Sequence, residues 1–560
     1  MMRIFSISGM GTALCACAAL LLADAPARAE SLIANVNGMT LGEDGKLIRF
    51  SAMVIDDDGR VKELLNRKDK QPKDVDFRFD GKGKTLIPGF VDAHGHVMGL
   101  GFAALTLDLS RTKSLEEAQQ ALRDYAAKYP NRQWIIGRGW NQEAWGLGRY
   151  PNAAELDAVI ADRPVYLTRV DGHAAWVNSA AMKAAGITAT TKSPSGGAIE
   201  RTGGKPSGVF IDKAQSLFEQ AIPAPRPVED DIALMKAQDI LLSQGVTTIT
   251  DMGTTLRDWQ SFRRAGDKQQ LQMRIISYAG DIENMVAIGG PGPSPWLYDD
   301  RLKLAGVKLY LDGALGSRGA LLKQPYSDKP AEQGLALITP SQLRNKMSRA
   351  AMDGFQTAVH ANGDQANAEL LSAIEELQYT FKGDRRWRIE HAQIIDPVDL
   401  PNIVKTGAIA SMQPVHQTSD RLMAEARLGP DRLAGAYAWN TILESGAKLA
   451  FGTDVPVESA NPFPGLAAAM TREDANGQPV GGWMSAERLT RVEAWKAYTM
   501  GAAYASFAED RIGSLTKGKR ADFLIIDKDI MLAQPQEIRD ITVEQTWIAG
   551  RPVFIRAAQQ

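Results

Sequence analysis

The chain has 560 residues, of which 44% are hydrophobic and 23% are charged, so it can bury a large core. Its 64 Lys and Arg residues nearly balance its 66 Asp and Glu residues, which excludes a strong positive field that would hold nucleic acid. A small molecule is therefore the expected ligand.

The first 29 residues have the features of a secretory signal peptide. Arg3 precedes an apolar run over residues 10–23, and residues 27–29 (ARA) form a small-x-small cleavage site. The run is shorter than the roughly 20 residues that a membrane span requires. We therefore predict export to the periplasm, cleavage after Ala29 and no membrane span. The alternative is a lipid anchor on Cys17, which ends a weak lipoprotein box.

The chain has two cysteines, Cys15 and Cys17, and both lie in the predicted signal peptide. The predicted mature chain therefore contains no thiol. Disulfides and thiolate metal ligands are excluded from it, and any metal must be held by nitrogen and oxygen atoms.

Short apolar segments rich in β-branched residues recur along the chain and predict eight strands. From the second onward they lie roughly 20 to 50 residues apart, and amphipathic stretches such as residues 366–377 separate several of them. This spacing is typical of βα units, and eight of them predict a (β/α)8 TIM barrel over residues 85–512. The predicted strands are 85–91 (TLIPGFV), 246–250 (VTTIT), 273–278 (MRIISY), 307–311 (VKLYL), 356–359 (QTAV), 387–389 (WRI), 408–412 (AIASM) and 448–451 (KLAF).

Two regions depart from this spacing. Residues from about 99 to 230 separate the first two predicted strands by far more than one crossover needs, which predicts an inserted α/β cap with its own strands. Residues 30–84 and 513–560 are rich in predicted strands and turns, so we expect the two termini to pair in a small β-sandwich.

Five of the six histidines follow or end a predicted barrel strand. The C-terminal ends of the strands form the face on which barrel active sites are built. The residues placed there are His94 and His96 after strand one, His360 after strand five, His391 after strand six, His416 after strand seven and Asp454 after strand eight.

The spacing of His94 and His96 suits a shared metal ion, because alternate residues of an extended strand project to one side. Either histidine alone could be a hydrogen-bonded structural residue. Four histidines and Asp454 on one rim together predict a metal site.

An ordered set of motifs resembles the amidohydrolase superfamily, and within it family 3, the YtcJ-like branch. The resemblance covers nearly all of the predicted mature chain and is specific for the branch but not for a substrate. The motifs are residues 88–96 (PGFVDAHGH), 308–318 (KLYLDGALGSR), 360–364 (HANGD), 388–391 (RIEH), 413–416 (QPVH), 452–456 (GTDVP) and 513–522 (GSLTKGKRAD).

The resemblance implies a centre of one or two divalent metal ions, of which zinc is the expected identity. His94 and His96 would hold one ion, and His360 and His391 the other. Asp454 would bind metal and move protons, although an aspartate at a strand end can also cap a helix.

Lys308 occupies the strand-four position that carries a carbamylated lysine in many binuclear relatives. A carbamate would supply two oxygens to bridge two cations. The alternative is a partly buried lysine in an ordinary ion pair.

Further residues are predicted to contact the substrate or the reacting atoms. His416 would donate a hydrogen bond to the substrate carbonyl or oxyanion, or else be structural. The resemblance also places His173 and Trp176 beside the active site, and we predict substrate contacts for Asp312 and Arg318. Trp140, Trp145 and Trp176 could line an apolar pocket, although aromatic residues of a cap more often pack against one another.

The predicted function is hydrolysis of a C–N bond in an amide-like, N-acyl or N-formyl small molecule, by metal-bound hydroxide with Asp454 as proton shuttle. An esterase or lactonase could use the same centre. A different class is a catalytically silent protein that binds a ligand through its cap, against which the retained ligand set argues. The sequence leaves the oligomeric state open, including a homo-oligomer.

Overall fold

The computed structural model describes residues 30–557. The predicted signal peptide, with its cleavage site and Cys17, lies outside the described residues. Within residues 30–557 we find no helix with the length and hydropathy of a transmembrane span.

Eight parallel strands form one sheet in which neighbours in sequence are neighbours in space. Nearly every residue in these strands is buried, as expected for a parallel sheet covered by helices. The sheet closes where Gly95, the last residue of the first strand, pairs with Val455, which follows the last strand. The predicted TIM barrel is therefore confirmed. Its strands are β1 (Phe90–Gly95), β2 (Val246–Thr254), β3 (Arg274–Ala279), β4 (Leu302–Tyr310), β5 (Gln356–Ala361), β6 (Arg388–His391), β7 (Ile409–Met412) and β8 (Lys448–Phe451).

The first predicted strand, residues 85–91, is divided between two sheets. Thr85–Pro88 pairs with strands of both termini, whereas the barrel begins at Phe90. Gly89 lies at the division. The chain passes close to Thr247 there, and a Cβ on residue 89 would lie 2.3 Å from the Thr247 side chain. A continuous apolar run cannot show from sequence alone where one sheet ends and another begins.

Helices follow the barrel strands and cover the sheet from outside. Several start with a capping residue, such as Thr255, whose hydroxyl accepts a hydrogen bond from the Asp258 amide. The helices of the barrel region are Val97–Ala103, Pro227–Ser243, Leu256–Asp267, Ile282–Gly289, Pro340–Met352, Asp364–Leu377, Leu400–Thr406, Pro414–Leu428, Trp439–Glu444, Pro462–Thr471, Arg491–Lys496 and Ala502–Ala505.

The insertion between β1 and β2 forms a cap with a sheet of six strands and three α-helices. Residues 170–173 join two antiparallel strands of this sheet and form a hairpin tip directed at the barrel mouth. The strands, in their order across the sheet, are Gly197–Thr202, Lys205–Asp212, Ala174–Val177, Val165–Arg169, Ile135–Trp140 and Leu107–Asp108, and the helices are Leu115–Lys128, Ala153–Asp157 and Ser179–Ala184.

Both termini share one six-stranded sheet, and a four-stranded sheet packs near it. A buried ion pair joins this region to the barrel, because Arg274 of β3 binds both carboxylate oxygens of Asp522, at 2.6 and 2.9 Å. The six-stranded sheet has the order Arg551–Ile555, Val543–Ile548, Phe523–Ile526, Thr85–Pro88, Asn37–Leu41 and Leu47–Phe50, and the other has Val61–Leu65, Ala52–Ile55, Ser31–Ala34 and Phe77–Asp80.

Candidate metal centre and substrate cavity

A cavity of about 1800 Å³ lies between the C-terminal ends of the barrel strands and the cap. Barrel residues form its floor, and the hairpin tip with neighbouring cap residues forms part of its wall. The titratable side chains that line it include His96, Lys308, His360, His391, His416 and Asp454 from the barrel, and Arg138, Asp171 and His173 from the cap.

His94, His96 and Asp454 form the first group of candidate metal donors, with ligand atoms all within 4.8 Å of one another. Asp454 Oδ1 lies 3.1 Å from His96 Nε2 and 3.6 Å from His94 Nε2. The two histidines alternate on β1 and its end, whereas Gly95 faces Ile249, where a Cβ would lie 2.7 Å from a methyl group. The backbone amide of Asp454 donates to the His94 carbonyl at 2.7 Å, which fixes the two strand ends together.

His391, His416 and Asp454 form the second group. Asp454 Oδ2 lies 3.6 Å from His416 Nε2 and 4.0 Å from His391 Nδ1. His391 donates from Nδ1 to Gln413 Oε1 at 2.9 Å, so its Nε2 is left as a ligand atom. His416 lies in the first turn of helix Pro414–Leu428, beyond the end of β7, and is one of the candidate metal donors. Its predicted hydrogen bond to the substrate stays a prediction.

His360, predicted as a ligand, stands beside these groups and belongs to neither of the two described above. Its ring centroid lies 4.6 Å from that of His391, and its Nε2 accepts a hydrogen bond from Asn362 Nδ2 at 3.0 Å. A metal role for His360 stays a prediction. For that role, His360 would have to bind the metal through Nδ1, or give up the hydrogen bond from Asn362 so that Nε2 can bind it.

Lys308 lies within the barrel beside the first donor group, with Nζ 3.2 Å from His94 Nε2. Burial lowers the pKa of Lys308 to about 8, against the opposing effect of the Glu390 and Asp454 carboxylates. A lower pKa enlarges the neutral fraction of the amine, which is the form that reacts with carbon dioxide. The position suits the predicted carbamate, and the modification itself stays a prediction.

The protonation states of the centre suit a cation. Burial, and then the Lys308 ammonium, lower the pKa of His94 well below its usual value, and burial does the same for His360 and His391. Burial raises the pKa of Asp454, but the imidazoles of His94 and His96 lower it more, so it is a carboxylate. The imidazoles and one buried carboxylate, whose Oδ1 accepts no hydrogen bond from the described residues, form a donor set that fits a zinc-like ion.

Sequence reasoning did not identify Glu390 and Arg388, which support the centre from below. His94 donates from Nδ1 to Glu390 Oε2 at 2.5 Å, and Arg388 Nε donates to Glu390 Oε1 at 2.6 Å. All three side chains are fully buried. The carboxylate fixes the His94 tautomer in which Nε2 carries no proton, so that Nε2, which lies 3.2 Å from Lys308 Nζ, can bind an ion. The signal was present in the motif RIEH, where residues 388 and 390 project to the same side of β6.

Arg138 and Arg427 join the cap to the barrel at the cavity edge. Arg138 donates to the carbonyls of Val170 and Pro456, two residues after Asp454. Arg427 binds Glu143 of the cap at 2.5 Å and also Asp328 of the barrel. These contacts join the cap to the barrel beside the donor groups.

Of the four predicted substrate contacts, the structure places only His173 at the cavity. Trp176 is fully buried in the core of the cap, where its Nε1 donates to the Asn152 carbonyl at 2.8 Å. Asp312 is also fully buried and accepts hydrogen bonds from three backbone amides, whereas Arg318 forms an ion pair with Asp328 at 2.8 Å. These three side chains are occupied by structural partners, which corrects the expectation that they face substrate.

None of the three tryptophans that could have lined an apolar pocket lines the cavity, and the packing interpretation describes them. Trp140 and Trp176 pack edge to face with ring centroids 6.2 Å apart, and Trp145 packs against Trp176 at the same distance. Apolar surface removed from water within the cap explains all three.

The chain resembles proteins of known family along most of its length. A model described as the amidohydrolase family matches residues 79–554. The YtcJ protein of Bacillus subtilis is 32% identical over 531 residues, covering 92% of this chain and 97% of that protein. An N-substituted formamide deformylase of Arthrobacter pascens is 26% identical over 492 residues, covering 84% and 88% of the two chains.

A solved structure gives the same result for the fold. The crystal structure of a metal-dependent hydrolase from Pyrococcus horikoshii superposes with a TM-score of 0.73 and 26% identity. The alignment covers 90% of this chain and 99% of that one. The barrel, the terminal sheets and the donor-lined cavity are therefore features of a metal-dependent hydrolase.

Proposed function

The chain belongs to the amidohydrolase family, and from that premise we propose that it hydrolyses a C–N bond in an amide-like, N-acyl or N-formyl small molecule. The observation that carries the proposal is the pair of donor groups that share Asp454 at the floor of one large cavity. The similarity to a protein named as an N-substituted formamide deformylase supports the choice of bond.

The metal would be held by His94, His96, His391 and Asp454, with His416, His360 and Lys308 as further ligands. When bound, a zinc-like ion lowers the pKa of a coordinated water to about 7 and polarises a carbonyl oxygen. Zinc, the number of ions and a carbamate on Lys308 are parts of this proposal.

Asp454 would move a proton from the attacking water to the departing nitrogen. Its carboxylate is buried and ionised, and it lies within 4 Å of four histidine side chains. An amine becomes a tolerable leaving group only when its nitrogen is protonated, so a carboxylate in this position performs the step that amide cleavage requires. Glu390 holds His94, and Gln413 holds His391, in the orientations on which this geometry depends.

We further propose that the protein is exported and acts in the periplasm. The apolar run 10–23 and the site at residues 27–29 support cleavage after Ala29, with a lipid on Cys17 as the alternative. Mass spectrometry of the N-terminus from a periplasmic fraction decides between them, since a diacylated Cys17 contradicts cleavage after Ala29.

Elemental analysis joined to an activity panel tests the function. The purified protein is assayed with N-formyl, N-acyl, ester and lactone substrates before and after treatment with a chelator, and again after zinc is restored. We expect hydrolysis of N-formyl or N-acyl compounds that falls at least 100-fold on chelation and returns with metal.

Each other outcome has a definite meaning. Preference for esters or lactones would favour the alternative hydrolase, and metal-free protein that binds compounds without turnover would favour a ligand-binding role. A metal content near two per chain that falls near one in Lys308→Ala supports the bridging carbamate, and an unchanged content contradicts it.

A further inference from the structure

The cap contributes one hydrogen-bonded acid and imidazole pair to the cavity, Asp212 with His173. Asp212 Oδ1 lies 2.6 Å from His173 Nδ1, and the Asp212 amide also donates to the His173 carbonyl at 2.9 Å. The side chain of His173 is 15% exposed and that of Asp212 is 2% exposed. The histidine therefore reaches open space, whereas its partner is enclosed by protein.

His173 lies next to the candidate metal centre. It ends the hairpin tip at residues 170–173, and its ring centroid is 5.1 Å from that of His360. It lines the main cavity and also a second cavity of about 600 Å³ between cap and barrel. Because Asp212 occupies Nδ1, Nε2 on the opposite side of the ring is the nitrogen that a bound substrate can contact.

Asp212 is held in this position at a cost in free energy. Its backbone has φ 48° and ψ −123°, a region that residues other than glycine rarely adopt. Such a conformation costs about 1–3 kcal/mol and persists where the surrounding structure imposes it, often at functional sites. Its second oxygen, Oδ2, is buried and accepts no hydrogen bond from the described residues, which adds to the cost.

The loop after β4 is shaped to receive this carboxylate. A Cβ on Gly313 would lie 2.6 Å from Asp212 Oδ2, and one on Gly319 would lie 2.8 Å from it. Asp312 fixes the same loop by accepting hydrogen bonds from the backbone amides of Leu321, Asn362 and Gly363, at 2.8 to 3.0 Å. The motif at residues 308–318 therefore has two parts to play. It contains Lys308, and its loop makes room for the Asp212 carboxylate.

We propose that His173 contacts the substrate through Nε2 and that Asp212, seated against Gly313 and Gly319, is the positioning residue for it. The inference deepens the proposed function and rests on it. It assigns the cap a direct part in the reaction centre, which the arrangement of barrel ligands alone does not require.

A double-mutant cycle tests the pairing on the best substrate of the panel. We expect His173→Ala to lower kcat/KM by about 100-fold and Asp212→Asn by about 10-fold, typical of a lost polar contact and a lost orienting partner. The double variant should be no slower than His173→Ala, because Asp212 acts through that side chain. Losses that multiply in the double variant would overturn the proposal.

The matched control is Asp157→Asn, which changes a cap carboxylate that binds Ser179 away from both cavities. It should leave kcat/KM within twofold. Metal content and thermal unfolding are measured for every variant, since loss of metal or of the fold would also reduce turnover. If Asp212→Asn is compromised in either, Asp212→Glu, which keeps the carboxylate, serves as the second variant and should recover less than full activity but more than Asp212→Ala.

A substrate-free measurement separates this inference from the function. The proton between His173 Nδ1 and Asp212 should give a far-downfield proton resonance in the wild type and in Asp157→Asn, absent from His173→Ala and Asp212→Asn. A wild type without the resonance contradicts the pair. A wild type with the resonance that hydrolyses nothing in the panel contradicts the proposed function, and full activity in both single variants contradicts the role of the pair.

Discussion

The barrel rim and the cap supply side chains to one cavity, but their charged and polar groups are satisfied in different ways. At the rim, the buried imidazoles of His94 and His391 have low pKa values and surround Asp454, whose Oδ1 accepts no hydrogen bond from the described residues. In the cap, two charged side chains at the cavity are paired, Arg169 with Asp171 and His173 with Asp212.

This difference assigns separate tasks to the two regions. Buried lone pairs of imidazoles and a carboxylate cost free energy when too few N–H or O–H groups donate to them, unless a cation binds them. The rim is therefore suited to an ion. Groups that are already paired gain little from an ion and are instead held in fixed directions. On our proposal, the barrel assembles the metal centre and the cap positions the substrate over it.

The sharpest test of the rim is Asp454→Asn, for which we expect the largest effect. The amide cannot accept a proton and binds metal weakly, so kcat/KM should fall by about 1000-fold or more. Activity and metal content of the same preparation are measured together. Retained metal with lost turnover supports the proton-transfer role, and activity within tenfold of the wild type would contradict any central role for Asp454.

Glu390→Gln tests the layer beneath the rim, with a smaller expected effect. The amide keeps the volume of the side chain, but it removes the negative charge that holds His94 Nδ1–H and Arg388. Metal affinity should weaken by about 10- to 100-fold, as for other residues that orient a metal-bound histidine. Competition with a chromogenic chelator measures it.

Glu375→Gln is the control for that experiment, because Glu375 pairs with Lys405 at the surface. An exposed pair of this kind contributes little, so metal affinity should not change. Equal affinities in Glu390→Gln and the wild type would mean that the ligand geometry does not depend on this carboxylate.

The same contrast explains what the sequence could predict. Residues as distant as His94 and Asp454 could be placed together because parallel strands align their C-terminal ends, which turns chain order into position. Glu390 lies on such a strand too, and its alternation with Arg388 on β6 was the only signal for the pair, which does not show that they support His94. The role of His416 as a candidate donor depends on where β7 ends and its helix begins, which a short apolar run does not define.

The cap offered no such rule. Trp176 lies in a cap motif, yet it is buried in the cap, because the register of an antiparallel sheet decides its direction. Asp312, in the loop after β4 of the barrel, is also buried, because the path of the loop decides its direction. Asp212 carries no motif at all, and only its backbone conformation and its neighbours reveal it. Sequence therefore located the ion-binding region better than the substrate-binding region.

The smallest effect on turnover is expected for Trp176→Phe, which asks whether the core of the cap takes part in binding. The change keeps an aromatic ring but removes the Nε1 hydrogen bond to the Asn152 carbonyl and part of the buried surface. We expect the free energy of unfolding to fall by about 1–3 kcal/mol while kcat and KM stay within twofold. Denaturant unfolding and steady-state kinetics measure the two quantities. A tenfold rise in KM at unchanged stability would mean that Trp176 contacts the substrate and that the cap interior is part of the cavity wall. Loss of stability alone would mean that Trp176 is structural and would leave His173 as the proposed substrate contact in the cap.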